Sequence, residues 1–222
     1  MGAPHGHRLH FQGHSPVHQA PAHLKIAFLV SFMLVVVATP VPWLAAFAAY
    51  AAVLAVLVAL SGVPALYLAR RLVIETPVLA FAVLLPFIAT GPTVDLLGLS
   101  LSRPGLVAGG GLVVKATLGV LASLLLAATT EPRDLLAGLE RLRVPSQLVQ
   151  IMGFMVRYLD VVSDELRRMK TARESRGFTA RDPRHWPVIG RSAGALFIRS
   201  FERGERVHLA MISRGYDGTV RR

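Results

Sequence analysis

Over the first 130 positions apolar residues run almost unbroken, and beyond them they return at intervals of three and four. The unbroken stretches are residues 24–38 (LKIAFLVSFMLVVVA), 43–60, 72–90 and 105–129. A helix needs about 20 apolar residues to cross a bilayer, so these predict four spans, the first of them short. Thr39-Pro40-Val41-Pro42 and Ser61-Gly62-Val63-Pro64 separate the first three, because proline lacks the amide donor and restrains the residue before it. Trp43 stands where an interfacial ring anchors a span. Residues 91–104 read as a polar loop with Asp95 and Arg103. Gly109-Gly110-Gly111, early in the fourth run, removes side chains and predicts close helix contact.

The rhythm changes after Thr130. Glu131-Pro132-Arg133-Asp134 has the proline and acids of a helix start. Leu135, Leu136, Leu139 and Leu142 then share a face. Pro145 ends that helix and opens a longer one. Leu148, Ile151, Met155, Leu159, Val162 and Leu166 line one side of it, and Arg157, Asp164, Arg167, Arg168 and Lys170 the other. After a polar break at 181–187, residues 188–211 repeat the design, with Leu196, Phe197, Phe201 and Val207 against Arg199, Glu202, Arg203 and Glu205. Both segments are too charged to span; such helices lie on a bilayer or pack on another helix. The expectation is an all-α membrane protein with about four transmembrane helices followed by long amphipathic cytoplasmic helices. Its parts are a His-rich polar tail (1–23), a transmembrane domain (24–130) and a cytoplasmic domain (131–222).

Composition sharpens this. Hydrophobic residues make up 53% of the chain, yet its isoelectric point is about 11.3. A soluble domain would have to bury that excess in one core. Eighteen Lys and Arg and 11 Asp and Glu follow residue 130. With four spans, Arg8, Lys25, Arg70-Arg71 and this basic tail fall on one side and only Arg103 on the other. The positive-inside rule makes the first side cytoplasmic, in a cell inner (plasma) membrane. There is no cysteine, hence no disulfide framework or thiolate site. No apolar signal-peptide core precedes residue 24. Six histidines stand in the tail: His5, His7, His10, His14, His18 and His23. Imidazoles suit Co, Ni, Cu and Zn, but their spacing puts no two on one rigid element, so they are weak metal candidates beside a plain solvated tail. Lys115, about ten residues into the fourth span, is either a functional group inside the membrane or a lysine that pairs in the bundle. Glu75, near the start of the third span, reads as a carboxylate reaching back beside Arg71.

The two amphipathic segments share an ending: Ser175-Arg176-Gly177-Phe178 and Ser213-Arg214-Gly215-Tyr216. A single Arg-Gly is ordinary helix termination. Two, each followed by an aromatic residue, predict a guanidinium fixed at a helix tip. Such a group forks onto carboxylates and carbonyls and stays charged when partly desolvated.

Together with Arg157-Tyr158, Glu165-Leu166-Arg167-Arg168 and Arg203-Gly204-Glu205-Arg206, these endings resemble the coupling region of the transmembrane T component of energy-coupling-factor transporters. In that family two helices end in Ala-Arg-Gly; here serine replaces alanine. The apolar half resembles the cobalt type, CbiQ, in Lys25, Thr39-Pro40, Trp43 and Ser61-Gly62-Val63-Pro64. The resemblance covers the chain from Lys25 onward. It implies a coupling subunit of an ABC importer for cobalt. Ser175, Arg176, Gly177, Ser213, Arg214 and Gly215 would grip two ABC-type ATPase subunits (CbiO-like). A membrane substrate-binding subunit (CbiM-like) and a small accessory membrane protein would complete the assembly. ATP would be bound and hydrolysed on the partners, and this chain would carry no cofactor and no catalytic residue. Gly109-Gly110-Gly111 lacks the Lys-Ser/Thr of a phosphate loop. A nickel or vitamin transporter of the same build stays open.

Three rivals stand beside it. A membrane enzyme needs titratable groups converging at one depth, and Glu75, Asp95 and Lys115 are scattered, while His185 and His208 stand alone. A membrane-tethered nucleic-acid binder or other scaffold would use the basic half, but acids interleave its cations, which suits salt-bridged helices better than a phosphate track. A self-sufficient channel would pass ions without an ATPase.

Overall fold

Apolar runs become helices because a helix satisfies its own backbone where water is absent, and the prolines and glycines between them set the turns. A computed structural model of the chain describes residues 15–96 and 99–216. These divide into two compact units, one ending at Arg141 and the other beginning at Leu142.

In the first unit, α1 (Pro16–Gln19) leads into α2 (Ala22–Ala38), α3 (Leu44–Ser61), α4 (Ala65–Arg71) and α5 (Thr76–Ile88). Then come β1 (Thr93–Leu96), β2 (Leu99–Ser102), α6 (Arg103–Thr129) and α7 (Pro132–Arg141). The stretch expected as a loop thus carries a small antiparallel ribbon, Thr93 opposite Ser102, which lets the connection pair part of its own backbone. Among the described residues three helical segments are long and apolar enough to cross a membrane: Leu44–Ser61, Leu66–Ile88 and Arg103–Thr129. α2, with 17 residues, is a shorter apolar helix. The third span begins at Leu66, not at residue 72, because the 3-10 turn Leu72–Glu75 joins α4 to α5 without breaking the run. Leu34, Leu44, Ile74 and Val83 are each about two-thirds or more exposed, as an outer surface facing lipid allows.

The core lies among α2, α3 and α6, where Phe32, Val36, Phe47, Leu54, Leu118 and Ala122 are buried together. Tyr50 meets Phe32 and Phe47 edge-on, at 5.9 and 6.1 Å between centroids, the favoured geometry for ring pairs. A second cluster, Val63, Leu68 and Ala128, sets the turn after α3 at the carboxyl end of α6. At the other end Gly111 faces Val41 of the proline turn. The start of α2, the 61–64 turn and the end of α6 therefore share one end of the unit. α7, grouped by charge with the later helices, packs on α2: a Cβ at Gly138 would fall 2.9 Å from His23 N.

The second unit is α8 (Ser146–Glu174) and α9 (Trp186–Ile212), joined through the 3-10 turn Pro183–His185. Arg143 turns the chain ahead of α8 with a left-handed φ of 61°.

α5 and α6 approach each other closely along a glycine face, Gly105 and Gly109 lying against the α5 backbone. Pro86 sits inside α5, so the carbonyl of Ala82, four residues earlier, loses its helical donor. Gly109 faces that carbonyl: a Cβ there would stand 2.6 Å from Ala82 O, whereas one at Gly110 would meet nothing within 4 Å. Gly109→Ala is therefore expected to destabilise by about 1–3 kcal/mol through overpacking, and Gly110→Ala to be neutral. Thermal unfolding in detergent compares the two; equal midpoints would refute this packing.

Candidate functional site

The two Ser-Arg-Gly ends are one structure built twice. Both glycines are left-handed, Gly177 at φ 80° and Gly215 at φ 82°, a conformation that a Cβ disfavours. Gly177 N–H donates to Glu174 O (3.0 Å) and Phe178 N–H to Arg173 O (3.2 Å). At the second end Gly215 N–H donates to Ile212 O (2.9 Å) and Tyr216 N–H to Met211 O (3.0 Å). These are the two bonds of a Schellman closure. The serines match as well: Ser175 Oγ donates to Ala172 O and Ser213 Oγ to Ala210 O, each at 3.0 Å. That is one more carbonyl satisfied than alanine would satisfy. Arg176 and Arg214 are left exposed at the last corner of each helix. Neither enters an ion pair among the described residues.

The rings after the glycines turn inward. Phe178 stands edge-on to His185, 5.3 Å between centroids at 89°. Tyr216 Oη donates to Gln150 Oε1 at 2.6 Å. Arg199 on α9 pairs with Glu165 on α8 at 2.6 Å. The two cross-contacts, 165 with 199 and 150 with 216, fix α8 and α9 as antiparallel. The tips therefore sit toward opposite ends of the pair, with roughly 35 Å of α8 between Gln150 and Glu174 at 1.5 Å per residue. Glu165 also accepts from Arg168 at 3.0 Å. The guanidiniums of Arg168 and Arg199 hold its carboxyl below the usual carboxylate range. Between the helices lies an apolar groove of about 520 Å³, lined by Phe154, Met155, Leu159, Val162, Leu196 and Val207 among others.

Lys115, Lys25 and Glu75 of the first unit each bond within it. Lys115 Nζ donates to Val37 O at 2.8 Å and lies 5.9 Å from the Phe47 ring. Val37 is in the last turn of α2, so Lys115 is level with an end of that helix. Lys25 donates to Thr129 O (3.0 Å), Thr130 Oγ1 (3.3 Å) and His18 O (3.1 Å). Glu75 does not reach back to the surface beside Arg71. It is 3% exposed, and its Oε1 accepts from Thr117 Oγ1 at 2.8 Å near the middle of α6. The earlier start of its span puts it well inside that helix. Reading the span from Leu66 would have found it. Gln150 and His185 gave no sequence signal of their own. His5, His7, His10 and His14 lie outside the described residues, and no described cluster of three or more His, Asp or Glu can hold a metal ion.

The CbiQ family model, described as cobalt transport protein, matches residues 13–222. The chain belongs to the CbiQ family. It is similar to the cobalt transport protein CbiQ of Rhodobacter capsulatus, 32% identical over 64% of this chain and 61% of that one. It is 30% identical to the energy-coupling factor transporter transmembrane protein EcfT of Listeria innocua, over 93% of this chain and 82% of that one. It is also 28% identical to a fused cobalt transport protein CbiMQ of Methanocorpusculum labreanum, over 93% of this chain and 36% of that one. The chain spans between 36% and 61% of the length of several curated relatives. Membership of the CbiQ family and the three long apolar helices among the described residues make this a membrane protein.

Lys115 keeps the two readings its position offers, a functional group inside the membrane or a lysine that pairs in the bundle by capping α2. Lys115→Met keeps the stem and deletes the donor. The bond to Val37 O predicts a loss of about 1.5–3 kcal/mol of stability, the range for a charge-assisted bond, with uptake retained. Unchanged unfolding together with abolished uptake would make Lys115 a functional group instead.

Proposed function

We propose that this chain is the transmembrane coupling subunit of an energy-coupling-factor importer that takes up cobalt. It sits in the cell membrane with α8 and α9 on the cytoplasmic side. Its tips, Ser175-Arg176-Gly177 and Ser213-Arg214-Gly215, grip two ABC-type ATPase subunits of the CbiO kind. A substrate-binding membrane subunit of the CbiM kind captures the ion.

One observation carries this reading: the same closed helix end, with an exposed arginine, stands toward both ends of an antiparallel pair. α8 has 29 residues and α9 has 27, so a two-fold rotation approximately exchanges them. A pair of like ATPase subunits offers two equivalent grooves related in the same way. A guanidinium forks onto carboxylates or carbonyls there. ATP is bound and hydrolysed on those partners. When they close, the distance between their grooves changes, the tips follow, and α8 and α9 carry the motion to the membrane. The excess of basic residues after residue 130 supports the cytoplasmic side. The family description and the Rhodobacter relative support cobalt as cargo. The fused CbiMQ relative supports a CbiM-like neighbour.

Arg176→Glu combined with Arg214→Glu should leave the chain in the membrane, release both ATPase subunits on co-purification and abolish uptake. ATPases retained at wild-type stoichiometry would end the proposal. In the intact wild-type assembly, cobalt uptake should persist under equimolar nickel; preferential nickel uptake would reassign the cargo and leave the coupling role standing.

A further inference from the structure

We propose that Gln150 and His185 are positioning residues that aim the two arginine tips, each by holding the ring that follows the tip's glycine. This rests on the ATPase-gripping role given above. A Schellman closure fixes the backbone through the residue after glycine, but by itself it does not orient one helix tip relative to the other helix. The rings do this. Tyr216 is half-buried and donates to Gln150, in the second turn of α8. Phe178 is half-buried against His185, the residue just before α9. Each ring thus leans on the beginning of the opposite helix.

The approximate two-fold relation between α8 and α9 therefore extends to their anchors, although the chemistry of the two differs. The second anchor is a single directional bond from a phenol to a side-chain amide. The first is a ring contact backed by the chain: His185 Nδ1 lies 3.1 Å from Thr179 N and 3.3 Å from Thr179 O. It can accept from the amide or donate to the carbonyl, depending on which nitrogen carries the proton. His185 in this way holds two successive residues beyond Gly177. Rotation of either helix about its own axis is transmitted to the opposite tip, so the tips cannot swing independently of the pair.

The test uses the full chain in lipid nanodiscs with its membrane partner, titrated with the ATPase subunits, and with uptake measured after reconstitution. Gln150→Leu and Tyr216→Phe should each weaken ATPase binding two- to tenfold, the range expected for one lost hydrogen bond. The double variant should be no weaker than either single one. Gln150→Glu keeps an acceptor for the phenol and should restore binding to within twofold of wild type. His185→Leu should cost a similar factor at the first tip, multiplying with that of Gln150→Leu. Helix content should stay unchanged throughout. Wild-type affinity in Tyr216→Phe, or failure of Gln150→Glu to rescue, overturns the proposal even if Gln150→Leu does not fold. Arg214→Glu separates the two levels: if it releases the ATPase while Tyr216→Phe does not, only the anchor proposal fails. If Arg214→Glu also binds normally, the gripping role itself fails.

Discussion

A helix leaves its last carbonyls without amide partners, and this chain meets those carbonyls in two ways, by side chains reaching from elsewhere and by its own backbone turning through glycine. In the membrane half α3 ends on a left-handed glycine, Gly62, whose N–H donates to Ala59 O at 3.3 Å, while at α2 and α6 side chains from the chain's own helices supply donors. Lys25, at the start of α2, donates to Thr129 O at the end of α6, and Lys115, inside α6, donates to Val37 O at the end of α2. The antiparallel partners thus close each other. Hydroxyls add to this: Ser61 donates to Val58 O and Thr129 to Leu125 O, and Thr39 Oγ1 is a second donor to Val35 O, which the Thr39 N–H already meets. Each positive charge meets the negative end of a helix dipole, in surroundings where an unmet carbonyl is costly. In the amphipathic half the backbone closes itself through glycine. The arginine next to each glycine is therefore not needed for closure and remains available to something outside the chain.

That difference explains why so much was legible and where legibility stopped. Composition gave the helices because apolar runs and prolines act locally. The twin endings were legible because a Schellman end is written in four consecutive residues, and the structure forms both of them with the same bonds. Glycine-mediated contact was legible as a tendency. Which glycine meets which backbone was not, since it depends on Pro86 freeing the Ala82 carbonyl on another helix.

What sequence misplaced was a matter of register. Glu75 was assigned to the membrane surface because the span was counted from residue 72, and the turn at Leu72–Glu75 hid the continuity with α4. Its hydrogen bond to Thr117 links positions 42 apart, a separation that no local pattern reports. The ribbon at 93–102 was read as loop because its strands are only four residues each. The anchors of the tips are of the same kind: Gln150 and Tyr216 are 66 residues apart, and a lone glutamine in an amphipathic helix carries no sign of its bond.

The serine in each tip shows how a local rule and a long-range role coexist. Serine in place of alanine adds a hydroxyl that turns back onto the carbonyl three residues earlier, which tightens the last turn without consuming surface. A tip tightened this way has fewer ways to reposition its guanidinium, so less ordering would remain in the docking proposed above. Rigidity at the tip has value only if the helix behind it is also oriented. A rigid point on a freely rotating shaft transmits no direction. The ring contacts at Gln150 and His185 supply that orientation, which is why local closure and the anchors across the helix pair belong to one device.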